Sequence, residues 1–225
     1  MRIATVLDAY FAGIKRINEH YASVKNESGK KIINRRYPYQ TTLGEGPNPI
    51  VEFRYNHKLS GKLVFFAVAS GEKPLPLCVK FTRQYSEGAH KYMADLGLAP
   101  RLWGVQDIPG GWKMVVMDRS DYTQLTEMVP NAVTRMAIKA SVLAAVHKLH
   151  EGGYVHGDIL DVNILVNSAS SIHIVDFDWA GRIDEAMYPL QVNTLTLKRP
   201  KDVTGGVRIL KRHDIEMIEE LFLTI

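Results

Sequence analysis

The sequence predicts an α+β fold, and three observations predict it. Between residues 50 and 81 three strand-like runs, IVEFRYN, KLVFFAVA and LPLCVKF, follow one another across short polar breaks. From residue 132 the stretch AVTRMAIKASVLAAVHKLH is apolar at helical spacing and long enough for about five turns. The two kinds of pattern are segregated: the first half is rich in strands, the second in helices, and they join near residues 118–121. Segregation of this sort gives two lobes with a cleft between them, a common site for a ligand.

The elements follow in order. Val6, Leu7, Tyr10, Phe11, Ile14 and Ile17 recur at helical spacing, which predicts an amphipathic helix over 3–24, ended by the polar KNESGKK. Residues 36–49, with three prolines and two glycines, read as loop, and Gly44-Glu45-Gly46 within them reads as a plain turn. After the three strands, SEGAHKYMADLGL predicts a short helix opened by Ser86 and closed by Gly97. WKMVVMD is strand-like again. The long helix from 132 stops at Gly152-Gly153. NILVN and IHIVDF are two short strands joined at SAS, and DIEMIEELFL predicts a last helix over 214–223.

Composition narrows the function classes. With 225 residues, 46% hydrophobic and 23% charged, the chain is an ordinary globular one. Lys+Arg 28 against Asp+Glu 24 leaves +4, too weak and too scattered for a nucleic-acid stripe but compatible with an anionic substrate. The single cysteine, Cys78, excludes an internal disulfide. No apolar run of about 18 residues and no signal-like apolar core occur, so a cytoplasmic protein with no membrane partner is expected.

The chemistry concentrates in YVHGDILDVNILVNSASSIHIVDFDWAG, residues 154–181. Asp158 is followed by Asn163, and a predicted hairpin then leads to Asp176. Two oxygen ligands flanking a hairpin converge on one hard cation such as Mg²⁺. Asp158, between them, is free to accept a proton from an attacking hydroxyl. His147, His150 and His156 have spacings that suggest zinc, but no cysteine or acid completes a set. His147 and His150 read as helix-surface or lobe-interface residues, and His156 as a residue that orients the loop.

The order H-x-D-x-x-x-x-N then D-F-x resembles the protein-kinase-like fold. That resemblance implies a bilobal domain. Residues 1–117 would form a β-sheet N-lobe with the N-terminal helix and one further helix, and residues 118–225 a shortened helical C-lobe carrying the catalytic loop. It implies ATP and Mg²⁺ as cofactors, with Asp158 on the acceptor, Asn163 and Asp176 on metal, and Lys80 of LCVK on the α- and β-phosphates. Cys78 would lie over the base, Met117 deep in the pocket, and the backbone of Asp118 to Ser120 on the adenine edge. Glu87, or alternatively Asp95, would position Lys80. A degenerate phosphate loop would sit at Leu59-Ser60-Gly61-Lys62, with Ser60 and Gly61 near the phosphates. Asp214 of RHD would brace the catalytic-loop backbone.

Longer stretches, CVKFTRQYSEGAHKYMADLGLAPRLWG, WKMVVMD, YPLQVN and RHDIEMIEEL among them, resemble a group of small kinase-like proteins common in basidiomycete fungi. HGD in place of HRD is shared with aminoglycoside and choline phosphotransferases. The chain departs from ordinary protein kinases in Asp178, which stands where D-F-G has glycine, and in lacking A-P-E and a long activation segment. The later helices that help dock peptide substrates are expected to be absent, and activation by loop phosphorylation is not expected. The expected activity is an ATP- and Mg-dependent phosphotransferase acting on a hydroxyl acceptor, protein or small molecule. The alternative is a nucleotide-binding pseudokinase or scaffold.

Overall fold

The computed structural model describes residue 8 and residues 10–19, 37–44, 50–71 and 73–224. Two units are distinguished, residues 1–39 and residues 40–225. In the first, residues 10–19 form a helix, α1; the remainder of the predicted 3–24 helix, apart from residue 8, and the KNESGKK break lie outside the described residues.

The second unit is α+β. A six-stranded antiparallel sheet has the order β1-β2-β3-β4-β6-β5. It is built from β1 (Thr42–Leu43), β2 (Val51–Lys58), β3 (Val64–Ala69), β4 (Pro76–Thr82), β5 (Leu102–Ile108) and β6 (Trp112–Asp118). Strand alternation organises its faces. Ala67, Ala69, Leu77 and Val79 point into an apolar cluster with Phe53, Met114 and Val116. Their neighbours Val64, Phe66, Cys78 and Lys80 therefore share the opposite face, which lines a cleft. The short helix α2 (Glu87–Asp95) follows β4, and the Ser86 side chain accepts the Ala89 N–H at its start.

Two strands of this sheet were not legible. β1 lies within the run read as loop, and β5 was not predicted at all. Gly104 interrupts the apolar pattern of β5, and a side chain there would press on Leu43 Cδ2, at 3.2 Å from a Cβ. The glycine thus lets β1 close over β5. Glu45 and Gly46 lie outside the described residues, while the Gly44 N–H donates to Gln106 Oε1 at the turn.

Below the sheet, α3 (Ala132–Glu151) and α4 (Lys211–Thr224) enclose the main core. Ile138, Val142, Val146 and Leu149 of α3 pack with Ile218 and Phe222 of α4, with Ala89 and Met93 of α2, and with Ile164, Ile172 and Ile174. Burying each of these side chains larger than Ala89 contributes about 1.5–3 kcal/mol. The last three come from the predicted hairpin, β9 (Ile164–Ser168) and β10 (Ser171–Ile174), which pairs with β7 (Thr123–Gln124). A two-stranded ribbon joins β8 (Tyr154–Val155) to β11 (Gly181–Arg182). Among the described residues no helix is long and apolar enough to cross a membrane.

Candidate functional site

The cleft has a volume of about 460 Å³, and its wall includes Val64, Cys78, Lys80, Met117, Asn163 and Asp176. Period-two alternation puts Cys78, Lys80 and Thr82 of β4 on its side of the sheet. Across it, β9 and β10 deliver Asn163 just before one strand and Asp176 just after the other. The Val175 N–H donates to the Asn163 carbonyl at 3.0 Å, so the two metal-ligand candidates are held together by backbone.

Asp176 has φ 71°, a left-handed conformation unusual for a non-glycine residue, and its carboxylate meets Lys80 Nζ at 2.6 Å. Such strain persists only where surrounding contacts enforce it. Lys80 is also 2.7 Å from Asp178 Oδ1, and the Thr82 hydroxyl donates to Asp178 Oδ2 at 2.8 Å. Burial works against the charge on Lys80, but the two carboxylates outweigh it and raise its pKa. Asp176, likewise opposed by burial, is held below the usual carboxylate range by Lys80. Asp178 goes the other way: burial, and then the Asp176 charge, push it up to about 6.

The partner of Lys80 is therefore not the residue expected. Glu87 and Asp95 are both exposed, at the two ends of α2, and neither pairs with the lysine. The face that α2 turns inward carries Ala89, His90 and Met93 instead. His90 stacks on Phe177 with ring centroids 4.9 Å apart. Its Nε2–H donates to the Pro100 carbonyl, so its Nδ1 accepts from the Tyr85 hydroxyl. Burial lowers its pKa to about 4.

The catalytic-loop candidates converge tightly. Asn163 Nδ2 donates to the Asp158 carbonyl at 2.9 Å and approaches Asp158 Oδ2 at 3.3 Å, which leaves the amide oxygen as the atom available to a cation. Buried His156 donates from Nε2 to the Val175 carbonyl and accepts the Asp158 N–H at Nδ1. Gly157 has φ 79°, and a Cβ there would lie 2.6 Å from Ile209 Cδ1, so both backbone and packing require glycine. Asp214, wholly buried, accepts the N–H groups of His156 and Gly157 at 2.9 and 2.7 Å and the His150 ring at 2.8 Å. His150 is thus a buried partner, whereas His147 is exposed.

On the nucleotide side, the turn between β2 and β3 is short. Leu59 and Lys62 line the cleft, whereas Ser60 and Gly61 do not: they form the exposed tip of the turn, with Gly61 at φ 69°. At residues 118–120 two expected donors are already used. The Asp118 N–H donates to Arg101 and the Arg119 N–H to Pro76, so Ser120 keeps the only backbone N–H of the three without a partner among the described residues. The Asp118 carboxylate accepts from the Trp103 indole. Burial pushes the Cys78 thiol up to about 11, so it acts as a small apolar wall rather than a nucleophile.

Two contributions had no signal in local sequence. Asp178 stood out only as a missing glycine, and its pairing with Lys80 spans most of the unit. Arg199, whose side chain is 2% exposed, places Nη2 2.7 Å from Asp158 Oδ1. Among the described residues no group of three His, Cys, Asp or Glu side chains forms a metal site by itself. A Mg²⁺ held by one carboxylate, one amide oxygen and phosphate oxygens needs no such group, and Asp176 with Asn163 fits it.

No family model matches the chain. Over 84 residues, 37% of its length, it is 32% identical to serine/threonine-protein kinase PSK2 of Saccharomyces cerevisiae. Over a stretch of the same size it is 31% identical to PSK1 of that organism. The chain covers only 8% and 6% of those two proteins. A solved structure, that of the Cydia pomonella granulovirus kinase PK-1, is similar with a TM-score of 0.48 at 16% identity, covering 59% of this chain and 53% of that one. Over the matched stretch the sequence is similar to those of serine/threonine-protein kinases, on a fold that is α+β.

Proposed function

We propose that the chain transfers the γ-phosphoryl group of ATP to a hydroxyl acceptor. One observation carries this reading: Lys80 of β4, Asn163 and Asp176 after β10 line one cleft, with the Asp158 carboxylate hydrogen-bonded to Asn163, although Lys80 and Asp176 are 96 positions apart. Phosphoryl transfer asks mainly for positioning and charge neutralisation, and these groups supply both.

In this reading the acceptor oxygen attacks the γ-phosphorus as Asp158 takes its proton. The bond from the γ-phosphorus to the bridging oxygen breaks, and ADP leaves. Lys80 holds the α- and β-phosphates, exchanging part of its contact with Asp176 for them. Asp176 and Asn163 Oδ1 would hold Mg²⁺, which when bound neutralises phosphate charge. The base lies against Cys78 and Met117, with the Ser120 N–H as its backbone donor. The acceptor, protein or small molecule, enters from the side of Asp158.

Single-turnover ATP consumption with Mg²⁺ tests the reading. Asp158→Asn and Lys80→Met are expected to lower the rate by about 100-fold or more. Wild type and variants turning over alike would remove it. A nucleotide-binding scaffold is the second reading, favoured by the ion pairs that already engage both Lys80 and Asp158. Thermal stabilisation by ATP and Mg²⁺ without Asp158-dependent turnover would select the scaffold.

A further inference from the structure

Arg199 sits in the long connection between β11 and α4, 41 positions from Asp158. Its guanidinium uses all three nitrogens, two toward the loop at 157–158 and one toward its own segment. Nη2 meets the Asp158 carboxylate, Nη1 donates to the Gly157 carbonyl at 3.2 Å, and Nε donates to the Asn193 carbonyl at 2.9 Å. Its plane lies over Trp179, 4.8 Å from the ring centroid, and Nη1 is 3.8 Å from Met217 Sδ on α4. A buried cation is costly unless a carboxylate pairs with it, and Asp158 is its one carboxylate partner among the described residues.

Asp158 is consequently gripped at both oxygens, Oδ1 by Arg199 and Oδ2 by Asn163. A carboxylate held this way at both oxygens is fixed in one rotamer. We propose that Arg199 is the positioning residue of the catalytic aspartate: it fixes the Asp158 carboxylate and, in the same contact, docks the 193–203 segment on the catalytic loop. The proposal rests on the phosphotransferase reading for its kinetic part. Docking by a built-in arginine needs no added phosphate, which gives a physical reason why a chain with so short a segment after Asp176 would be assembled as synthesised. The opposite role, an arginine that blocks the carboxylate against the acceptor, uses the same contacts and predicts the opposite sign.

The experiment uses the full chain with ATP and Mg²⁺. Arg199→Met is expected to lower the single-turnover rate about 100-fold, with ATP affinity changed less than about twofold, since Arg199 does not line the nucleotide cleft. Arg199→Lys keeps the charge without the fork and should fall between; it also serves if the methionine variant fails to fold. Guanidinium ion at millimolar concentration should restore part of the Arg199→Met rate. In an Asp158→Asn background Arg199→Met should cost nothing further. An unchanged or faster rate in either Arg199 variant, or a loss that adds in full to Asp158→Asn, overturns the proposal.

A readout independent of turnover separates this from the function itself. Amide hydrogen exchange across residues 154–163 should speed up in both Arg199 variants, whether or not ATP is consumed. Unchanged exchange there overturns the positioning role; wild type that neither binds nor consumes ATP overturns the phosphotransferase reading instead.

Discussion

At the acceptor end of the cleft, the catalytic loop is tied to almost everything around it. Asp214 holds its backbone from α4, His156 joins it to Val175, and Arg199 and Asn163 grip the Asp158 carboxylate. At the proposed nucleotide end, the turn over residues 59–63 is anchored, among the described residues, by backbone hydrogen bonds to itself, β3 and β4, and Leu63 is exposed. On the phosphotransferase reading proposed above, the contrast teaches that this fold fixes the proton acceptor in advance and leaves the phosphates to charge. On that reading Lys80 and a bound cation, rather than a wrapping glycine loop, would have to supply the hold on the triphosphate.

The tied end should therefore respond most to mutation. Asp214 is buried completely, and Asp214→Ala would leave two backbone N–H groups and the His150 ring without their acceptor. Removing one member of such a buried charged network costs about 3–5 kcal/mol. Urea unfolding is expected to show that loss. A change below about 1 kcal/mol would mean that the loop holds its shape without α4, and the contrast between the two ends would collapse.

Acid should weaken the molecule from between the two ends, at α2. His90 is lowered from 6.5 to about 4, chiefly by burial, with the Pro100 hydrogen bond opposing and Lys80 adding to the depression. The folded state therefore resists a proton that the unfolded chain accepts. Stability from this residue is complete above pH 6.5, falls as pH drops through the window to about 4, and levels off below it. At about 1.4 kcal/mol for each tenfold change in proton affinity, the loss comes to roughly 3–4 kcal/mol. His90→Gln keeps one donor and one acceptor for Pro100 and Tyr85, and should flatten the wild-type slope between pH 6.5 and 4. Parallel slopes would assign the acid loss to other groups.

What could be seen from sequence divides along the same line. The hairpin β9–β10, the long helix α3 and the spacing of Asp158, Asn163 and Asp176 were legible because each rests on local periodicity or a short separation. The strand carrying Lys80 was legible from its apolar run. β5 was not, because Gly104 and the polar Gln106 and Asp107 break its alternation. The clamps on the two key charges were equally hidden. Arg199 in TLKRP carries no mark of burial, and nothing local to Asp178 says that a lysine 98 positions earlier awaits it. Long-range ion pairs leave no periodic trace. The expectation for Glu87 failed for the converse reason: an acid in the first turn of a helix is favoured there by the helix itself, whatever faces it.

That failure yields the finest test of how the nucleotide end works. If Asp178 rather than α2 positions Lys80, then Asp178→Asn should slow ATP turnover about tenfold, near 1.4 kcal/mol in the barrier. It removes one of two charges on the lysine and leaves the Thr82 contact possible. Glu87→Ala should do almost nothing. Its side chain is exposed at the start of α2, so only the small helix-terminus contribution is lost, about 0.3–1 kcal/mol of stability and no measurable rate. The two variants, measured side by side at fixed salt and Mg²⁺, give a ratio that does not depend on knowing the acceptor. A rate loss in Glu87→Ala equal to that in Asp178→Asn would return control of the lysine to the helix. The predicted asymmetry would instead mean that Lys80 is held by the segment that also carries Asp176, so that shifting α2 alone does not switch the site off.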